Sequence, residues 1–128
     1  MKTIVSFLIV ILALTTTSKV QAQEKAKWKE MEAFHEVMSK TFHPAEEGKM
    51  EPIKSRSTEM VQKAIAWKKS IAPAGYDKSA VLKNMRKLVK GAKKVNKLVQ
   101  KNTPDAHLKE QLTELHTVFH EIVEKCEH

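Results

Sequence analysis

Residues 108–126, LKEQLTELHTVFHEIVEKC, carry the pattern that decides the fold. Their apolar residues recur every three or four positions, which places them along one stripe of an α-helix. His116 and His120 lie one turn apart on the flank of this stripe, so both imidazoles can face the same point. The apolar members of the stripe are Leu108, Leu112, Leu115, Phe119, Ile122 and Cys126.

The same spacing recurs in three earlier segments, which predicts four helices in all. The first is expected over residues 23–43 and to end at Pro44, because proline disfavours helical geometry in the residue before it. The second is expected from about Glu51, and the third over residues 77–102 with Asp77 as its cap. The predicted inner positions are Trp28, Met31, His35, Met38 and Phe42 in the first helix, Ile53, Ser57, Met60, Ala64, Trp67 and Ile71 in the second, and Val81, Met85, Leu88, Ala92, Val95 and Val99 in the third.

Short turns between these segments predict an all-α fold, an antiparallel up-down-up-down four-helix bundle. Proline and glycine occur between the segments, as expected of turns, and no segment alternates as a strand does. Because a short turn makes each helix run opposite to the one before it, the first helix is expected to lie beside the fourth.

Residues 1–22 have the features of a cleaved signal peptide. Lys2 precedes the apolar run IVSFLIVILAL at positions 4–14, which is too short to span a bilayer. Cleavage is expected after Ala22, leaving residues 23–128 as the bundle domain. We therefore expect a periplasmic or secreted protein with no transmembrane segment in the mature chain.

Composition narrows the classes of function. The formal net charge is +8, but an exported basic protein is not expected to bind nucleic acid. Cys126 is the only cysteine, so no internal disulfide can form, and the thiol is buried, links two chains into a dimer, or serves as a ligand. Burial is favoured, because Cys126 falls on the apolar stripe. No phosphate-binding glycine loop or nucleophile motif is present, so no enzymatic activity is predicted.

The histidines are the main candidates for a functional site. With a rise of about 1.5 Å per residue, His35 is expected about 12 Å and His116 about 18 Å from the same end of the bundle. Both could then meet His120 and hold a transition metal, with zinc or copper preferred and Glu32 or Glu36 as a further ligand or hydrogen-bond acceptor. The expected role is metal buffering or sensing; the alternative is that these are ordinary polar side chains at the surface.

A second cluster, of one histidine and two glutamates, lies at the end of the first predicted helix. His43, Glu46 and Glu47 could form a separate metal site at the rim of the bundle. The favoured interpretation is that His43 interacts with the last carbonyl groups of the helix and its dipole.

A methionine on the first helix and a histidine on the last could instead be the two ligands of a haem iron. The mature length, export signal and four-helix layout make the chain resemble the periplasmic cytochrome b and cytochrome c′ bundle family, although the C-x-x-C-H motif is absent. The resemblance implies b-type haem, electron transfer, and Met31 with His120 as the ligands. The segments TFHPAEEG and LHTVFHEIVEKC also resemble a family of exported helical bundles, which implies no particular function.

The third helix has a strongly basic outer face, with no acidic residue between Asp77 and Asp105. One interpretation is a non-catalytic interaction module that docks to an anionic surface or an acidic protein. The other is a solvated helix face that keeps the chain soluble. The cations of this face are Lys83, Arg86, Lys87, Lys90, Lys93, Lys94, Lys97 and Lys101.

Overall fold

The computed structural model describes residues 27–126, which form four α-helices and contain no strand. Helix α1 spans Lys29–Glu46, α2 spans Glu51–Lys69, α3 spans Lys78–Gln100 and α4 spans Asp105–Lys125. The predicted all-helical class with four helices is confirmed, and the packing is compatible with a helical bundle. The predicted signal peptide, and the start of the predicted first helix, lie outside the described residues.

Each helix packs against the next one in the chain, and α1 also approaches α4 over a shorter stretch. The stripe predicted for α4 is buried throughout, from Leu108 at 1% exposure to Cys126 at 1%. Within the described range, no helix combines the length and the apolar character needed to cross a membrane.

Aromatic rings join three of the helices in the core. The Trp67 ring of α2 packs against Phe34 of α1 at a centroid distance of 5.5 Å and against Phe119 of α4 at 5.8 Å. Trp28 meets Trp67 edge to face at 5.6 Å, and its indole N–H donates to Ser70 Oγ over 2.8 Å. These contacts hold the start of α1 against the end of α2.

The prediction that His35 lies on the inner stripe of α1 is wrong. His35 is exposed, and Phe34, which is 0% exposed, takes the inner position beside Val37 and Met38. The helical spacing fits either residue, but burying a phenyl ring gains free energy, whereas burying an imidazole requires a hydrogen-bond partner.

Ile71 also departs from its predicted inner position, with 86% of its surface exposed. Helix α2 ends at Lys69, and Ser70 has an extended backbone. The Ser70 hydroxyl donates to the Trp67 carbonyl over 2.6 Å while accepting from Trp28. Because these bonds turn the chain away at Ser70, Ile71 no longer follows the helical stripe.

Helix α1 continues through Pro44, which was expected to end it, and stops at Glu46. Proline inside a helix removes one backbone donor and crowds the carbonyl four residues earlier, but only two helical residues follow Pro44, so little of the helix is affected. The end is formed instead by Gly48, whose φ is 81°, and by a bond from the Lys49 amide to the Pro44 carbonyl at 2.9 Å.

Candidate functional site

His116 and His120 are in direct contact on α4. Their Nε2 atoms lie 3.1 Å apart, and His120 Nδ1 lies 3.2 Å from Glu124 Oε1. Because a carboxylate only accepts, His120 Nδ1 donates to Glu124, and the Nε2 atom of a neutral His120 then accepts from His116. The helix therefore orders two imidazoles and a carboxylate into one hydrogen-bonded chain.

The spacing of this imidazole pair, His116 and His120, suits a shared metal ion. With each nitrogen about 2.0–2.1 Å from zinc, a separation of 3.1 Å corresponds to an angle of about 100° at the metal, close to tetrahedral. A bound ion would take the place of the proton that now lies between the two nitrogens. The arrangement supplies two ligands from a single helix.

His116 is held more firmly than its partner. Its half-buried ring stacks on Phe42 of α1, with centroids 3.9 Å apart and planes 13° from parallel. Burial lowers the pKa of His116, and the positive charges of His120 and His43 lower it further. Its neutral form, which is the form that binds metals, is therefore favoured.

His35 is connected to the imidazole pair through the phenyl ring of Phe119. Its ring stacks on Phe119 at 5.2 Å, with planes 7° apart, and the same phenyl ring meets His120 edge to face at 5.5 Å. The residue opposite His116 is Phe42, not His35 as the helix-rise estimate implied. The charge of His35 nevertheless contributes to lowering the pKa of His116.

The predicted carboxylate ligands are not brought to the imidazoles. Glu36 pairs with Lys40 at 2.8 Å and with Arg56 of α2 at 3.0 Å, and hydrogen bonds from these cations lower its pKa. Glu32 is exposed. In residues 27–126, no group of three or more histidine, cysteine, aspartate or glutamate side chains is close enough to hold a metal ion.

The second predicted cluster lies at the end of α1, beside Phe42, the residue that stacks on His116. His43 Nδ1 is 3.3 Å from Glu46 Oε2 in the last turn of α1. Both groups act on the pKa of His116, which His43 lowers and Glu46 raises. Glu47 pairs with Lys49 at 3.3 Å. Sequence reasoning missed this proximity, although His43 directly follows Phe42, the residue that stacks on His116.

The two residues of the haem alternative have different surroundings. Met31 is partly buried and packs against the core, whereas His120 is exposed and bonded to His116 and Glu124. Cys126 is 1% exposed, as favoured from its place on the apolar stripe, and its thiol donates to the Glu121 carbonyl over 3.7 Å.

The basic face of α3 is exposed at every cation that defines it. Among the described residues, none of these eight side chains takes part in an ion pair. Glu59 of the neighbouring helix α2 pairs with Arg56 at 2.8 Å and not with a cation of this face.

Comparison of the chain with protein-family models, with curated proteins and with solved structures finds no match.

Proposed function

We propose that this protein is an exported helical-bundle protein that binds a transition metal, zinc or copper, through His116 and His120. The observation that carries the proposal is the 3.1 Å separation of their Nε2 atoms. Two imidazoles one turn apart on a helix are a common way to build a metal site in a bundle. The role would be metal buffering or sensing outside the inner membrane.

The proposal includes an antiparallel arrangement of the helices. Phe34 of α1 packs on Phe119, and Phe42, two turns later in α1, packs on His116, which is earlier in α4. Positions rising along α1 thus meet positions falling along α4, which supports antiparallel packing. The Phe42–His116 contact also supports a position for the end of α1, with His43, at the same height in the bundle as His116.

The third ligand is proposed to be His43, with His35 as the competing candidate. Both are exposed, so either ring can change rotamer at small cost. His43 directly follows Phe42, whose ring stacks on His116 at 3.9 Å, and Glu46 beside it can orient the ring. A site with two ordered ligands and one that arrives on binding would release its metal more readily than a closed structural site, as buffering requires.

The test measures thermal unfolding of the purified, exported protein with and without zinc or copper ions. Saturating metal should raise the midpoint temperature, because only the folded state brings the ligands together. His116→Gln and His120→Gln should each abolish most of this increase. His107→Gln is the matched control, since His107 is an exposed histidine on the same helix that pairs with Glu110 at 3.7 Å.

The same measurement selects the third ligand. His43→Gln should weaken metal affinity by about tenfold or more, while His35→Gln should have a smaller effect. Equal losses in His107→Gln and His116→Gln, or no shift with any metal, would contradict the proposal. A Soret absorption band in the purified protein would favour the haem alternative instead.

A further inference from the structure

A second candidate site lies between the end of α2 and the first half of α3, helices that carry none of the proposed metal ligands. It consists of two adjoining recesses, one apolar and one cationic. Lys68 of α2 borders both.

The apolar recess has a volume of about 250 Å³. The rings of Trp28 and Trp67 and the side chain of Met85 form part of its wall. Ile71 and Leu82, also part of its lining, are 86% and 43% exposed and are the large hydrophobic side chains that the described residues leave exposed. Apolar side chains grouped at a concave surface are typical of a binding site.

Trp67 adds an unusual polar feature to this recess. The residue is 0% exposed, and its Nε1–H has no hydrogen-bond acceptor among the described residues. Buried donors are nearly always paired. Because the ring is fully covered, the unpaired N–H is a cost within the core and does not select the ligand. Trp28 differs, because its N–H is already bonded to Ser70.

The cationic recess follows directly along α3 and has a volume of about 280 Å³. Val89 is the one apolar residue in its lining, and the other members are Lys68, Arg86, Lys90 and Lys93. All four cations are exposed, and none pairs with a carboxylate in the described part of the chain. Their charge is therefore available to an anion.

We propose that these recesses bind a single-chain amphipathic anion, such as a long-chain alkyl phosphate or a fatty acid. The tail would lie against Trp67, Ile71 and Leu82, and the anionic head would meet the cations around Val89. Charge complementarity selects an anion over a neutral or cationic amphiphile. The small volume of the apolar recess selects one chain over two.

Intrinsic tryptophan fluorescence provides the test, because the indole rings of Trp28 and Trp67 line the recess. Dodecyl phosphate would be titrated below its critical micelle concentration into the full protein at neutral pH with a chelator present. We expect saturable binding. Dodecyltrimethylammonium, with the same tail, and inorganic phosphate, which has no tail, should each bind at least about tenfold more weakly. The chelator makes the result independent of the metal site.

Substitutions test the contribution of each recess to binding separately. The triple substitution Arg86→Gln, Lys90→Gln and Lys93→Gln should weaken dodecyl phosphate binding by about tenfold or more. The matched control, Lys94→Gln, Lys97→Gln and Lys101→Gln, removes the same charge from the end of α3 and the residue after it, outside the recess, and should change affinity by less than about twofold. Ile71→Ser should also weaken binding, and its high exposure means that the fold should remain intact.

Three results would overturn the proposal. One is an equal loss in the two triple variants, which would indicate a diffuse attraction to α3. Another is equal affinity for the ammonium and phosphate amphiphiles. The third is binding to vesicles of anionic phospholipid with no binding of monomeric dodecyl phosphate, which would identify a membrane surface as the partner.

Discussion

At the scale of single residues, His116 is the position where burial and charge act together. Its ring packs on Phe42, and the imidazoles of His120, His43 and His35 add positive charge when protonated. All of these influences lower its pKa, while Glu46 opposes them. The side chain is thus kept neutral by its surroundings, which suits a metal ligand and makes the folded state sensitive to acid.

The pKa of His116 predicts a pH dependence of stability. A folded-state pKa below the ordinary value of 6.5 means that the unfolded chain binds more protons between the two values. Stability should therefore be unaffected by this group above about pH 7 and should fall as the pH drops through about 6.5. Urea unfolding of the metal-free protein between pH 5 and pH 8 measures the effect.

His116→Gln should reduce that pH dependence of stability. Metal binding should weaken over the same range, because protons compete with the ion for imidazole nitrogen. A metal affinity that stays constant down to pH 5 would contradict ligation by histidine.

At the scale of elements, the end of α1 controls where His43 and Glu46 lie. Pro44 does not end the helix, and the reversal depends on Gly48 with its φ of 81°. The Gly48 amide donates to the Ala45 carbonyl at 3.0 Å, and the Lys49 amide donates to Pro44 at 2.9 Å. A glycine in this left-handed conformation closes the helix without steric cost.

Gly48→Ala should lower the free energy of unfolding by about 1 kcal/mol. A Cβ at this position would meet no atom within 4 Å, so the cost arises from backbone conformation alone. Gly48→Asn, which tolerates positive φ better, should cost less. Chemical denaturation of the three proteins checks the order, and an alanine variant as stable as the parent would show that the turn can relax.

At the scale of the whole molecule, the imidazole pair and the cationic recess lie on different pairs of helices. The imidazoles and Phe42 belong to α4 and α1, whereas the cationic recess belongs to α3 and the end of α2. The cationic recess shares no side chain with the imidazole pair, so substitutions of its cations should leave metal binding unchanged. The apolar recess is connected to His120 through Trp67 and Phe119.

Leu112→Ala should destabilise the protein by about 2–5 kcal/mol, because Leu112 is 0% exposed and truncation leaves a cavity. Leu82→Ala makes the same chemical change at a position that is 43% exposed, and it should cost much less. Thermal and urea unfolding of both variants test this contrast. Similar losses would mean that the core around α4 collapses to fill the space.

The helices could be predicted because helical periodicity is local. The spacing of Leu108, Leu112 and Leu115 determined which face of α4 is buried, and all three are at most 2% exposed. The one-turn spacing of His116 and His120 likewise placed both imidazoles within 3.1 Å of each other on a single helix.

Only the tertiary structure decided how the helices are rotated and shifted against one another. That choice placed Phe34 inside and His35 outside, turned Glu36 toward Arg56 of α2, and put His43 near His116. The physical reason is that rotation and shift minimise the free energy of all packed side chains together, so a contact between two helices depends on residues far from either partner.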